Sequence, residues 1–170
     1  HSSSPELDTK HILEISKGLG LNLGPYKATF EHETRADLFS EQGILCSMIP
    51  YMASEMYDQL IAKGIEPELA YFECWYELKL IVKTMVDIGP QKFFDLISPN
   101  ALIGSEKGFR KLVTPDLKTK LRELYADIEN NQFDTEIKNT NLEVLRKTIS
   151  SRWANSGLMK AHQLVQKESK

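Results

Sequence analysis

The residues best placed to do chemistry are two pairs of carboxylates. Asp37 and Glu41 stand four residues apart, and so do Glu73 and Glu77. On a helix that spacing puts both side chains on one face, so each pair can aim its oxygens at one point. Like charges at this spacing repel, which makes a purely structural role mildly unfavourable. Donor sets made only of oxygen favour a hard divalent ion such as Mg²⁺ over zinc. The second pair lies inside Tyr71-Phe72-Glu73-Cys74-Trp75-Tyr76-Glu77-Leu78, which otherwise reads as core, and a buried carboxylate needs a counter-charge or a metal. The opposing reading makes both pairs solvated helix faces served by lysines. The pattern alone leaves open whether the two pairs share one site.

Other reactive side chains point elsewhere. Cys46 and Cys74 have no CxxC partner and no neighbouring histidine, so both read as core cysteines. His1, His11, His32 and His162 are scattered without ligand spacing. Gly18-Leu19-Gly20 follows no strand and lacks the rest of a dinucleotide loop, so it reads as a helix stop. Met48, Met52, Met56 and Met85 read as core filling. The bases of the C-terminal third alternate with acids and read as a solvated face.

The elements that must carry these residues are helical. A short amphipathic stretch runs from Leu7 to Leu19. Tyr26 to His32 is expected to be extended. From Ala36 to Lys63 an apolar period persists through Pro50, which should kink the helix rather than end it. Pro67 suits a first helical turn, and the helix from there to about Ile88 is apolar on nearly every face, as in a helix buried on most sides. Gly89-Pro90 breaks it. Gln91 to Ile97 is a short helix stopped by Ser98-Pro99, and Asn100 to Val113 reads as irregular or briefly helical. Thr114-Pro115-Asp116 is a strong helix start, and that helix fades at Asn130-Asn131. Leu142 to Trp153 is helical, and Leu158 to Lys170 reads as a polar tail. No stretch alternates with period two for long enough to build a sheet, so the fold class is all-α, a bundle of buried helices.

Composition sets the outer limits. The 24 acidic against 21 basic residues give a net charge of −3, which argues against nucleic acid as a partner. Mean hydropathy is −0.35, and no apolar run approaches the roughly 20 residues of a membrane span. Two cysteines are too few for a disulfide scaffold, so a reduced, cytoplasmic setting is expected. The opening His1-Ser2-Ser3-Ser4 reads as a tag remnant, with residues 1–9 disordered.

Against this background the sequence resembles a known family. Thr29-Phe30, Glu33-Thr34, Asp37-Leu38-Phe39, Glu41-Gln42 and Leu45-Cys46 look like the metal-binding helix of ketol-acid reductoisomerase (acetohydroxy acid isomeroreductase). The second run is closer still: Gly64, Pro67-Glu68, Ala70-Tyr71-Phe72-Glu73-Cys74, then Glu77-Leu78-Lys79-Leu80-Ile81-Val82. Ile97-Ser98, Ala101 and Gly104 resemble that family's substrate-binding turn, and Thr114-Pro115 with the helix to Phe133 resembles the segment that follows. The resemblance covers residues 10–135, with 136–170 as a helical extension, and fits the short bacterial type.

The resemblance implies an all-α C-terminal domain, intertwined as a homodimer, with two Mg²⁺ ions per site. It implies that Asp37, Glu41, Glu73 and Glu77 hold the metals, partly across the dimer. Cys46, Glu77, Ile97, Ser98 and Ala101 would lie against the substrate, and Glu77 would exchange protons with it. The implied substrate is a 2-hydroxy-2-methyl-3-oxo acid of isoleucine and valine biosynthesis. The metals polarise its oxygens while an alkyl group migrates, and NADPH then delivers hydride. NADPH would enter only through a separate N-terminal Rossmann domain, so no cofactor-binding residue is expected among these 170 and the fragment alone should be inactive. This sequence departs from the family at Pro99, Asn100, Leu102 and Ile103, where acidic and tyrosine residues are usual. Tyr76 replaces His, and Ser47-Met48 replaces Gly-Gly. Two rivals stand beside this reading: a divergent member with another hydroxy-oxo acid substrate, and a stand-alone dimerisation or ligand-binding module without catalysis.

Overall fold

A computed structural model describes residues 5–21, 24, 26 and 28–168, with the side chains of 5–8 and 168 excepted. Every regular element among them is helical. The chain divides into two compact units, residues 1–36 and 37–170.

In the first unit, α1 (Pro5–Gly18) ends where Gly20 adopts a positive φ of 70°. This is the expected helix stop. Phe30 opens α2 (Phe30–Ser40), whose later residues belong to the second unit. The extended reading of residues 26–32 is therefore corrected from Phe30 onward. Thr29 supplies the reason, because its Oγ1 accepts the His32 N–H at 3.1 Å, a capping bond that starts the helix. Residues 25 and 27 lie outside the described set.

In the second unit, α2 passes without a break into a π segment, π1 (Glu41–Met48), and then into α3 (Ile49–Ala62). Pro50 sits in the first turn of α3. A proline in a helix interior removes one N–H and drives its ring against the carbonyl four residues back. The wider π turn loosens that spot: the Ile49 N–H bonds to the Ile44 carbonyl, and Ser47 Oγ donates to the carbonyls of Gln42 and Gly43. The expected kink is thus an expanded turn.

Pro67 does open a helix, α4 (Pro67–Tyr71). It runs into a second π segment, π2 (Phe72–Tyr76), and then α5 (Leu78–Ile88). The core is built here. Tyr57 of α3, Ala70 and Tyr71 of α4 and Cys74 of π2 bury against Leu158 and Ala161 of α11 (Gly157–Glu168). The expected polar tail at 158–168 is corrected accordingly. Leu158, Ala161 and Val165 fall at helical spacing and line the inner face, so a minority of apolar residues suffices to dock the helix. Gly157 permits the approach, since a Cβ there would stand 2.8 Å from the Tyr57 ring.

Between these segments lie α6 (Pro90–Leu96), α7 (Pro99–Leu112), α8 (Pro115–Glu129), α9 (Gln132–Asn139) and α10 (Leu142–Ala154). The irregular reading of residues 100–113 is corrected: α7 is a full helix, capped by Ser98 Oγ, which accepts the Ala101 N–H at 3.2 Å, and opened by Pro99. Thr114 caps α8 in the same way, as expected. Asn131 takes a left-handed φ of 59° and starts α9, which sequence reading passed over.

The largest departure concerns α5. The helix from Pro67 to Ile88, which reads as buried on most sides, is buried at Ala70, Tyr71 and Cys74, but its second half, α5, has no buried residue in this chain: Leu80 is 52% exposed and Val86 75%. The apolar surface continues onto α6 and α7 through Leu96, Leu102, Ile103 and Phe109. Met52 and Met56, read as core filling, are exposed too.

Candidate metal and substrate site

The first carboxylate pair sits where α2 meets π1. The opposite side of that helix is fixed by α8: Phe39 meets Tyr125 edge-on at 5.2 Å between ring centres, and Gly43 lies buried beneath Leu121. Asp37 and Glu41 are left exposed. Beside them the buried Gln42 amide nitrogen has no hydrogen-bond partner among the described residues.

The second pair sits on and just beyond π2. Tyr71 and Cys74 anchor that segment in the core, while Phe72 stacks on Tyr76 at 4.8 Å and Lys79 Nζ caps the Tyr76 ring at 3.5 Å. Glu73 is exposed and Glu77, which caps π2 through its N–H bond to the Phe72 carbonyl, is half-buried. The expectation of a buried pair is therefore corrected for this chain. The apolar residues around it do not enclose the carboxylates, because the outer face of π2 and α5 is uncovered.

Six of the helical acids carry a base partner, while others, such as Glu33, Asp58, Asp95 and Glu123, form no ion pair with the described residues. Glu31 pairs with Arg35, Asp87 with Lys83, Glu106 with Arg110, Asp116 with Lys120, Asp134 with Lys138 and Glu143 with Lys147, each one turn away. The carboxylates of Asp37, Glu41, Glu73 and Glu77 enter no such bond with the described residues. Each pair has a second acid at the spacing where those six have a base. One carboxylate of each pair, Glu41 and Glu73, lies on a π segment, while Asp37 lies on α2 and Glu77 just beyond π2; π segments are rare and concentrated at functional sites. Sequence reading missed the π turns, and Pro50 was the one residue that could have signalled the first.

A single chain does not assemble the four carboxylates. Among the described residues, no three of His, Cys, Asp and Glu come together as a metal site. All-oxygen carboxylate donors are the kind that suit a hard cation.

The remaining candidates fall in two places. Cys46 lies on π1 and is exposed, which corrects its reading as a core cysteine. Cys74 is buried as expected, and burial, reinforced by the neighbouring Glu73 charge, pushes its thiol pKa up. Ile97, Ser98 and Ala101 form the junction of α6 and α7, with Ile97 half-buried and the other two exposed. Ser98 has a demonstrable structural task there as the α7 cap.

Comparison with known proteins agrees with this architecture. A model of the ketol-acid reductoisomerase C-terminal domain matches residues 30–170. Among solved structures, an NADH-preferring ketol-acid reductoisomerase from an uncultured archean matches with a TM-score of 0.76 at 29% identity, over 82% of this chain and 43% of that one. The chain thus spans less than half the length of that relative. Because that domain model spans most of its length, this all-α chain belongs to the ketol-acid reductoisomerase family, through that family's C-terminal domain.

Proposed function

We propose that this chain is the metal- and substrate-binding half of a ketol-acid reductoisomerase, acting on a 2-hydroxy-2-methyl-3-oxo acid of branched-chain amino-acid biosynthesis. The observation that carries the proposal is two acid–acid pairs at four-residue spacing, one member of each on a π turn, in a chain of this family. In this reading Asp37 and Glu41 of one chain meet Glu73 and Glu77 of its dimer partner, and the four hold two Mg²⁺ ions. The exposure of both pairs and the bare apolar face of α5–α7 support assembly between chains. Bound Mg²⁺ would polarise substrate oxygens and stabilise negative charge during alkyl migration. Glu77, half-buried just beyond π2, would take and return the substrate hydroxyl proton. Ile97 and Ala101 would form an apolar wall, Cys46 would lie against the substrate from π1, and Ser98 would face its carboxylate. Hydride would come from a reduced nicotinamide, NADPH in the sequence-based expectation, held by a domain outside this chain. The solved relative is NADH-preferring.

The test is calorimetric titration of Mg²⁺ into the purified chain and into Glu73→Gln and Asp37→Asn. Binding in the parent that is lost in both variants is the expected result. Equal binding in all three refutes the assignment.

A further inference from the structure

Away from the carboxylate pairs, α3 (through Pro50), α4, π2, α10 and α11 line an open pocket of about 280 Å³. Its walls are the rings of Tyr71, Trp75 and Trp153, the side chains of Leu158 and Met159, and His162. None of Asp37, Glu41, Glu73 and Glu77 lines it.

One hydrogen-bonded polar pair borders this largely apolar space, and its state follows from the geometry. The Tyr71 hydroxyl lies 2.7 Å from His162 Nδ1. Tyr71 is only 2% exposed, so its proton has little water to bind, and Nδ1 is its acceptor. Burial also raises the Tyr71 pKa, so the phenol stays protonated. A ring whose Nδ1 accepts must, when neutral, carry its hydrogen on Nε2. That second nitrogen has no hydrogen-bond partner among the described residues. His162 is half-buried and borders the cavity. The result is a largely apolar pocket in which the His162 N–H is fixed through its bond to Tyr71, beside the indole N–H groups of Trp75 and Trp153.

We propose that this pocket is a binding site for a small molecule of about one ring in size, apolar in body and carrying one hydrogen-bond acceptor, a carbonyl or a carboxylate, that the His162 Nε2–H receives. Small-molecule sites are mostly apolar pockets with a few placed polar groups, and this volume lies near the lower end of their range of roughly 300–1,000 Å³. Two indoles and a phenol form flat walls suited to a ring. The site is separate from the proposed metal centre, so the two readings stand or fall independently.

The test uses phenylacetate, which has both ring and acceptor, and toluene, which has only the ring. Binding is read from the indole N–H resonances of Trp75 and Trp153 in the 170-residue chain without metal. Both probes should shift both resonances. The double variant Tyr71→Phe/His162→Leu removes donor and partner together, which avoids stranding a buried hydroxyl. It should weaken phenylacetate about tenfold or more, as expected for a lost hydrogen bond to a charged group, and leave toluene within about threefold. Met159→Trp, shown to be folded by circular dichroism, should abolish binding of both. Silence of both indoles with both probes at millimolar concentration would overturn the proposal. So would unchanged phenylacetate affinity in the double variant, or unchanged binding in a folded Met159→Trp protein.

Discussion

At the scale of single residues, the four carboxylates present a test that separates function from folding. Like charges one turn apart destabilise a helix by about 0.2–0.5 kcal/mol. Without metal, Asp37→Asn and Glu73→Gln should therefore leave the melting temperature unchanged or slightly raised. With metal the sign reverses. Mg²⁺ at a hundred times its Kd stabilises the parent by about 2.7 kcal/mol, and both variants should lose that gain. Melting curves with and without Mg²⁺ check this, and a variant that still gains stability from the ion would exclude its carboxylate from the site. Ser98 allows a similar separation. It caps α7, so Ser98→Ala should cost about 1 kcal/mol whatever else the hydroxyl does. Ser98→Asp keeps the cap but places a negative charge where the substrate carboxylate is proposed to lie. In the complete enzyme that variant should melt like the parent and show a KM raised at least tenfold. A parental KM would confine Ser98 to its capping role.

At the scale of elements, the seam between α4 and α11 holds the core. Gly157→Ala would press a methyl group against the Tyr57 ring, itself buried at the centre of the cluster. Overpacking of this kind costs about 1–3 kcal/mol, and a chemical-denaturation midpoint lowered without a change in slope would register it. This seam also marks where sequence reading stopped short. Thr114-Pro115, Pro67 and Gly89-Pro90 announce helix boundaries through local chemistry, and the helices begin or end there. The carboxylate-bearing helices were legible because acids and apolar residues recur at fixed spacing. Helix α11 was not, because its period rests on a few apolar residues and its identity as core is decided by Tyr57 and Tyr71, far away in sequence. The Tyr71–His162 bond spans 91 residues and leaves no local trace. Burial of Glu73 and Glu77 was inferred from their apolar neighbours, but pattern records only that a face is apolar and not which chain covers it.

At the scale of the whole molecule, that uncovered face makes the next prediction. Large apolar side chains stand exposed on α5, α6 and α7, the kind of surface a partner chain would cover. The dimer proposed above would bury it, giving an interface of the large, obligate type. Light scattering should return about twice the 19.4 kDa chain mass. Val86→Glu, which places a charge at a site 75% exposed in the single chain, should be harmless to a monomer. In a dimer it should shift the mass toward one chain and abolish the Mg²⁺-dependent stabilisation with it. A monomeric parent would count against the shared site.

The π1 turn can also be read as a phase shift. An α-helix advances about 100° per residue, and a π turn accommodates one residue more than the α turn it replaces, so the helix on its far side is rotated by about that angle. Here α8 grips Phe39 and Gly43 on one side of the shift, while α3 carries Tyr57 into the core on the other. Two docking directions are thereby served by one continuous helix, and the phase belongs to residue number rather than to any side chain. Ile44, which is exposed, makes the distinction measurable. Ile44→Ala keeps the count and should hold stability within about 0.5 kcal/mol. Deleting Ile44 keeps every other side chain, yet it turns the α8-facing half about 100° away from its partner. The deletion should lower the melting temperature sharply where the substitution does not.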